Sequence, residues 1–306
     1  LLQEIFNALK EIYLKSFDDI QLHRDMMGYV CIVNVGVEKY VLKLFRSKHT
    51  SQAIQSIEIM KYLYEAGFPT ALIIPTANGM LYFTINLQEE IRIGVLYEFV
   101  DGIEPDKGKS IENIGEQTGK LHNLMKNYKA NICHHTKSFF IDRYINLLTE
   151  MHYPRTEQFK IHGDMLWKRV EGLSNGVCHG DYHTGNMILN NEGQLVVFDF
   201  DAAAYAFPLY DIAVICDMTD YFEFSEQGYV ETSRMLQRFL RGYNKFNTVE
   251  QEEINFVYDL IAIRHFEVQA TIIDNLGFAC IDEKFIDDQF EWLMKWDKSY
   301  KPRIEM

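Results

Sequence analysis

Near residue 100 the chain passes from short strand-like apolar segments with two helices among them to a mostly helical pattern, and that switch bounds the folds available to it. Ahead of it, short apolar segments with strand character sit between turns: Asp19 to His23, Tyr29 to Val35, Lys39 to Phe45, Met80 to Leu87 and Ile91 to Tyr97. Two helices belong to the same stretch. One covers residues 1 to about 16, with Leu2, Ile5, Phe6, Leu9, Ile12 and Tyr13 at helical spacing. The other runs from about Ser51 to Ala66, capped by Thr50 or Ser51 and stopped by Gly67, with Pro69 just beyond. After the turn-rich Asp101 to Gly108, period two gives way to 3.6. Ile111, Ile114, Thr118, Leu121 and Met125 form a stripe on a helix expected to be capped by Ser110. Helical segments follow over about 136–152 and 155–172, and again from Leu209 to about Trp296. A single hairpin interrupts them, Met187 to Leu189 and Leu195 to Phe198 around the turn Asn190 to Gly193. The pattern predicts an α+β chain with an N-terminal antiparallel-sheet unit over 1–97, a connection at 98–102 and a mostly helical unit over 103–306.

Charge removes several function classes. Asp and Glu total 44 against 30 Lys and Arg, a formal net charge of −14. Affinity for nucleic acid rests on clustered cations, so no nucleic-acid partner is expected. No polybasic membrane anchor is expected either, and no apolar run reaches the roughly 20 residues that span a bilayer. The opening Leu1-Leu2-Gln3-Glu4 does not read as a signal peptide, and the absent initiator Met implies that a few residues precede it. The five scattered cysteines, without any Cys-x-x-Cys, predict reduced thiols in a cytoplasmic protein and no zinc site.

The chemistry is concentrated in Cys178-His179-Gly180-Asp181-Tyr182-His183-Thr184-Gly185-Asn186, a polar loop leading into the hairpin. The far strand of that hairpin ends in Phe198-Asp199-Phe200-Asp201. Phosphoryl transfer from a nucleotide needs one carboxylate to accept the acceptor's proton, and oxygen ligands to hold magnesium against the phosphates. Asp181 suits the first role, and Asn186 with Asp199 the second. Magnesium takes few protein ligands because it keeps its waters. The hairpin returns Asp199 to the neighbourhood of Asn186, 13 residues earlier. Polar loops collect Asp, Asn and Gly by chance as well, but here several elements of the pattern coincide. In Tyr40-Val41-Leu42-Lys43-Leu44-Phe45 a lysine sits inside an apolar strand, which is costly unless its charge is met. Nucleotide phosphates would meet it; the plainer alternative is an edge lysine facing solvent.

The segment His179 to Asn186, together with Val197-Phe198-Asp199-Phe200-Asp201 and Pro208-Leu209-Tyr210-Asp211-Ile212-Ala213, resembles the aminoglycoside phosphotransferase and choline kinase family. In length and in Phe198-Asp199-Phe200-Asp201 it resembles the bacterial branch with type II homoserine kinases and stress-response kinases. The resemblance implies a bilobal protein-kinase-like fold using ATP and magnesium. It implies that Asp181 is the catalytic base, Asn186 and Asp199 the magnesium ligands, and Lys43 the phosphate lysine. His179 would hold the loop, and Asp211 would brace it; Asp211 also reads as an N-cap of a helix beginning at Ile212. Leu96 to Gly102 resembles the family's hinge, with adenine bonded to the backbone of Glu98 and Val100. The turn Arg24-Asp25-Met26-Met27-Gly28 would cover the phosphates. The helix glutamate that holds the lysine in this family falls on Ser56, so either Glu58 serves through a shifted helix or the pair is absent or replaced.

The acceptor is expected to be a small molecule bearing a hydroxyl: an amino alcohol, an amino acid, a sugar or an aminoglycoside. Asp201, His183, Asp259, Arg264 and His265 are candidates to line its pocket, with Glu267 on the same late helix. An Arg with a His suits a carboxylate, and acids suit an amine. Two other readings fit the same residues: a Ser/Thr protein kinase on this fold, and a non-catalytic member that binds a ligand. The sequence leaves the oligomeric state open.

Overall fold

The computed structural model describes residues 1–25 and 28–304. In chain order the first elements are helix α1 (Leu2–Tyr13), strands β1 (Asp19–Asp25), β2 (Gly28–Val35) and β3 (Glu38–Phe45), and helix α2 (Thr50–Glu65). Strands β4 (Phe83–Leu87), β5 (Glu90–Glu98) and β6 (Gly102–Ile103) follow, then helices α3 (Lys107–Met125), α4 (Arg143–Glu150) and α5 (Thr156–Val170). Strands β7 (Gly176–Cys178), β8 (Met187–Asn190), β9 (Leu195–Val197) and β10 (Ala204–Ala206) come next in the chain. Helices α6 (Pro208–Cys216), α7 (Gln227–Tyr243), α8 (Gln251–Ile254), α9 (Val257–Leu276) and α10 (Glu283–Ile304) complete the chain. No helix among the described residues is long and apolar enough to cross a membrane, and no disulfide joins the described cysteines.

The chain divides into two compact units, Leu1–Pro105 with Gly185–Ala202, and Asp106–Thr184 with Ala203–Met306. The first is built on a five-stranded antiparallel sheet in the order β1-β2-β3-β5-β4. Strand β2 shows why the sheet forms: Val30, Ile32 and Asn34 alternate with buried Cys31 and Val33, so one face can join a core. Ile5, Leu9 and Tyr13 of α1 pack in that core with Cys31, Val33, Leu42, Leu44 and Leu96. The hairpin β8–β9 belongs to this unit and forms a small sheet with β6, with Met187 opposite Val197. A main-chain bond from Val197 N–H to the Pro69 carbonyl (3.0 Å) ties the hairpin to the segment after α2.

The second unit is helical apart from the pair β7–β10, in which Cys178 lies opposite Ala204. Its first helix starts three residues before the expected cap. Asp106 Oδ1 accepts from the Lys109 N–H at 2.8 Å, so Asp106 is the cap and Ser110 lies within the first turn.

Candidate active site

In the first unit, β3 is flanked by β2 and β5, and Lys43 stands opposite Val30 and Val95. Its ammonium meets Asp199 Oδ1 at 2.8 Å and also pairs with Asp201. The Lys43 side chain is 19 % exposed. Burial alone would lower its pKa, but the charges of Asp201 and Asp199 more than reverse this, so it stays a cation. Asp199 follows β9 with φ 64°, a left-handed conformation unusual for a residue with a side chain and of the kind found at functional sites. The Asn186 carbonyl accepts the Phe198 N–H at 3.1 Å, which anchors Asn186 beside the start of the Asp199 turn.

Lys43, Asn186, Asp199 and Asp201 line one cavity of about 280 Å³. Its apolar wall includes Val30, Val41, Ala71 and Ile188, and Glu98, Phe99 and Val100 form its end. The backbone there leaves the sheet: Phe99 N–H reaches Lys39 O at 3.3 Å, and Val100 is the next residue on. Arg24 also lines the cavity. Met26 and Met27 of the expected phosphate-covering turn lie outside the described residues. The glycine of that turn has a packing reason: a Cβ on Gly28 would stand 2.2 Å from the Leu44 carbonyl oxygen.

Two expectations need correction here. Glu58 does not reach Lys43; it is exposed, while Ser56 is buried on α2. Two positions on a helix are about 200° of rotation, and the helix keeps its register. The second carboxylate on Lys43 is Asp201 instead, with Ser56 as its neighbour. Asp201 therefore lies on the lysine side and not among acceptor residues. Its own pKa is raised by burial, opposed by Lys43 and reinforced by Asp199. A serine where an acid is expected, together with a second aspartate two residues past Asp199, was the available signal.

In the second unit, the His179–Asp181 turn is held from α6. Asp211, fully buried, accepts from His179 N–H at 2.7 Å and Gly180 N–H at 2.9 Å. Gly180 adopts φ 83°, which explains a glycine at this point of the loop. Asp211 is a brace and not an N-cap, because α6 starts at Pro208 with Phe207 as its cap residue. His122 of α3 completes the network, Nε2 to Asp211 Oδ2 at 2.9 Å and Nδ1 to the Tyr243 hydroxyl at 3.0 Å. Nothing in the local sequence points His122 to this role, because its partner lies 89 positions away.

Asp181 is half-exposed, with His183 Nε2 at 3.3 Å from one oxygen and Arg264 Nη2 at 3.7 Å from the other. Burial pushes its pKa up, but the His183 hydrogen bond and the His183 and Arg264 charges bring it below the usual carboxylate value. His183 and Arg264 thus join Asp181, whereas Asp259 and His265 do not. Asp259 is buried in an ion pair with Arg169 and accepts the Tyr300 hydroxyl at 2.5 Å. His265 is stacked between Tyr221 and Trp292 and bonded to Gln289 at 2.8 Å. Both serve packing of the helical unit, because α9 turns them away from the face that carries Arg264. Glu267, three residues past Arg264, lies near it and is held by Thr271 at 2.8 Å and Arg143 at 3.4 Å.

A lysine on a central strand, a carboxylate after a hairpin and a braced His-Gly-Asp turn are the parts of a kinase-like phosphotransferase. Residues 28–251 match the phosphotransferase enzyme family, APH, and the chain belongs to that family. An uncharacterized protein of Deinococcus radiodurans is 22% identical over 290 residues, spanning 88% of this chain and 82% of that protein. Among solved structures, amicoumacin kinase hAmiN in complex with AMP-PNP, Ca2+ and Ami superposes with a TM-score of 0.78 at 18% identity. That match covers 97% of this chain and 93% of the other. A microcompartment-associated aminopropanol kinase gives a TM-score of 0.72 at 15% identity, over 95% and 94% of the two chains. At these identities the likeness is one of fold, and the fold is kinase-like.

Proposed function

We propose that this chain is an ATP- and magnesium-dependent phosphotransferase that moves the γ-phosphoryl group to a hydroxyl of a small molecule. The observation that carries the reading is the convergence of Lys43, Asn186 and Asp199 on one cavity, from positions 43, 186 and 199 of the sequence. The residues fit the groups they would hold. Asn186 and Asp199 offer hard oxygen donors of the kind magnesium takes, few enough to leave it its waters. Lys43 is a partly buried cation facing the same cavity, suited to phosphate oxygens. The apolar wall and the backbone of Glu98 to Val100 suit a planar base recognised through main-chain groups. The bound metal would neutralise charge building on the transferred phosphoryl group.

This chain's own residues do the rest. Asp201 holds Lys43 in place in the first unit. In the second, Asp211 and His122 fix the turn that presents Asp181. Asp181, ionised at neutral pH, orients the acceptor hydroxyl and takes its proton. Solved structures of this fold are in line with the reading: one is an aminopropanol kinase, whose name gives a small hydroxylated acceptor, and another was solved with AMP-PNP and Ca2+, a nucleotide and a divalent metal.

The test compares wild type with Asp181→Asn, using γ-labelled ATP and a library of hydroxylated metabolites. Wild type is expected to transfer label to a library member. The variant is expected to keep its thermal stabilisation by magnesium and ATP and to lose transfer by at least 10²-fold, the scale of a general base. Equal turnover in both would remove Asp181 from the chemistry.

A further inference from the structure

The second unit holds a cavity of about 690 Å³, lined by its own residues and within the size that takes small molecules, roughly 300–1,000 Å³. Three elements that hold the Asp181 turn supply part of its lining. His122 comes from α3, Leu209 and Ile212 come from α6, which carries Asp211, and Val177 comes from β7, two residues ahead of His179. One chain of hydrogen bonds runs from the cavity to that turn. Lys126 donates to Asn247 Oδ1 at 2.8 Å, Asn247 Nδ2 donates to the Tyr243 hydroxyl at 3.1 Å, and that hydroxyl meets His122 Nδ1 at 3.0 Å. His122 Nε2 meets Asp211 Oδ2 at 2.9 Å, and Asp211 accepts from the His179 and Gly180 N–H groups. A carboxylate only accepts, so Nε2 donates to Asp211 and Nδ1 takes the Tyr243 hydroxyl proton. From Lys126 to Asp211 every donor then points the same way, an arrangement in which each bond polarises the next. Lys126 and Lys129 line the cavity against Glu250 and Glu253. Glu253 is turned to Ser174, accepting its N–H at 2.8 Å and its hydroxyl at 2.7 Å. Lys126 gives its ammonium to a neutral amide, and neither lysine forms an ion pair among the described residues.

We propose that this cavity is a regulatory site for an organic anion, a carboxylate or phosphate ester on a flat apolar body, whose head pairs with Lys126 and Lys129. The binding goes beyond the phosphotransferase reading; only its effect on turnover rests on that reading. An ammonium has three donors and Asn247 takes one of them, so an anion joins the chain without breaking it. Leu209, Ile212 and Val177 give the body an apolar lining to rest on. The chain holds Lys126 at the cavity, so the anion favours the arrangement in which the chain is closed and the turn is held. Coupling is reciprocal: a chain cut between Lys126 and Asp211 weakens anion binding as it frees the turn.

The experiment uses the full chain without nucleotide and four probes of one shape: naphthoate, naphthyl phosphate, naphthylmethanol and naphthylmethylamine. Calorimetry measures binding, and hydrogen exchange follows the His179 and Gly180 amides. An anion is expected to bind at least tenfold more tightly than the alcohol or the amine. Lys126→Met is expected to remove that advantage, as the loss of a charged hydrogen bond does. The bound anion is expected to slow exchange of both amides about fivefold or more, the lower end of coupling between sites. Tyr243→Phe keeps the ring and removes the hydroxyl between Asn247 and His122. Asn247→Ala, at a partly exposed position, cuts the chain one step earlier and serves if Tyr243→Phe fails to fold. Either is expected to abolish the slowing and to weaken anion binding about fivefold. No anion binding, an alcohol or amine bound as tightly as the anion, or an anion advantage that survives Lys126→Met would overturn the site. Anion binding that leaves both amides unchanged would overturn the regulatory role. ATP takes no part, so neither outcome touches the phosphotransferase reading.

Discussion

The Lys43 ammonium is paired with the Asp201 carboxylate, 158 residues later in the chain, and Ser56 of α2 is the neighbour of that carboxylate. A glutamate at position 56 would bring a third carboxylate to the same lysine. The small hydroxyl leaves room for Asp201 to come in from the turn after β9. The lysine is thus held from the turn after β9, by a residue two positions from Asp199, rather than from the helix.

Removing Asp201 should loosen Lys43 without stranding it, because Asp199 remains. Asp201→Ala is expected to lower kcat/KM for ATP by roughly 10- to 100-fold, the loss of one charge-assisted bond of about 1.5–3 kcal/mol. Ser56→Glu alone is expected to destabilise the fold by about 3 kcal/mol or more, by crowding a further buried charge onto the pair. Ser56→Glu combined with Asp201→Ala moves the acid to the helix and should recover at least tenfold over Asp201→Ala. Steady-state kinetics on the three variants decides. Wild-type kinetics in Asp201→Ala would contradict the role.

Asp211 carries the loop by accepting two main-chain N–H groups while it faces His122. Asp211→Asn replaces one acceptor oxygen with an NH2 that must face donors. A cost of about 3–5 kcal/mol in urea unfolding is expected, as for other broken buried charge networks, with turnover lost in parallel. His122→Phe should cost less, because the two main-chain bonds persist. An Asp211→Asn variant as stable as wild type would show that the brace is not structural.

Much of the fold was legible because burial follows period. The alternation of Tyr29 to Val35 and the stripe from Ile111 to Met125 both read true, since each buries one face. The candidate site was legible where its residues lie in one local stretch, as His179, Asp181 and Asn186 do. It was not legible where a partner is chosen by packing across distant elements. Nothing local in Asp201 says that it turns to Lys43. Nothing local in Asp259 says that Arg169 and Tyr300 claim it, although helical geometry separates it from Arg264 by more than a third of a turn.

His265 makes a pH dependence of stability. Burial, opposed by the Gln289 bond and reinforced by Arg264, lowers its pKa from 6.5 to about 4. The unfolded chain therefore takes up the proton first as pH falls. The contribution is whole above about 6.5 and is lost progressively between about 6.5 and 4, to a ceiling of about 3 kcal/mol. His265→Phe, which can stack with Tyr221 and Trp292, should flatten that part of the profile. Chemical unfolding at pH 7 and pH 4.5 checks this; equal losses in variant and wild type would assign the acid sensitivity elsewhere.

The most direct test of the account is calorimetric ATP binding with and without magnesium, in wild type and in Asp199→Ala. Wild type should bind ATP at least tenfold more tightly with magnesium, and Asp199→Ala should show little or no gain from the metal while still binding the nucleotide. An undiminished magnesium effect in Asp199→Ala would contradict the assignment of the Lys43, Asn186 and Asp199 cavity as the metal–nucleotide site.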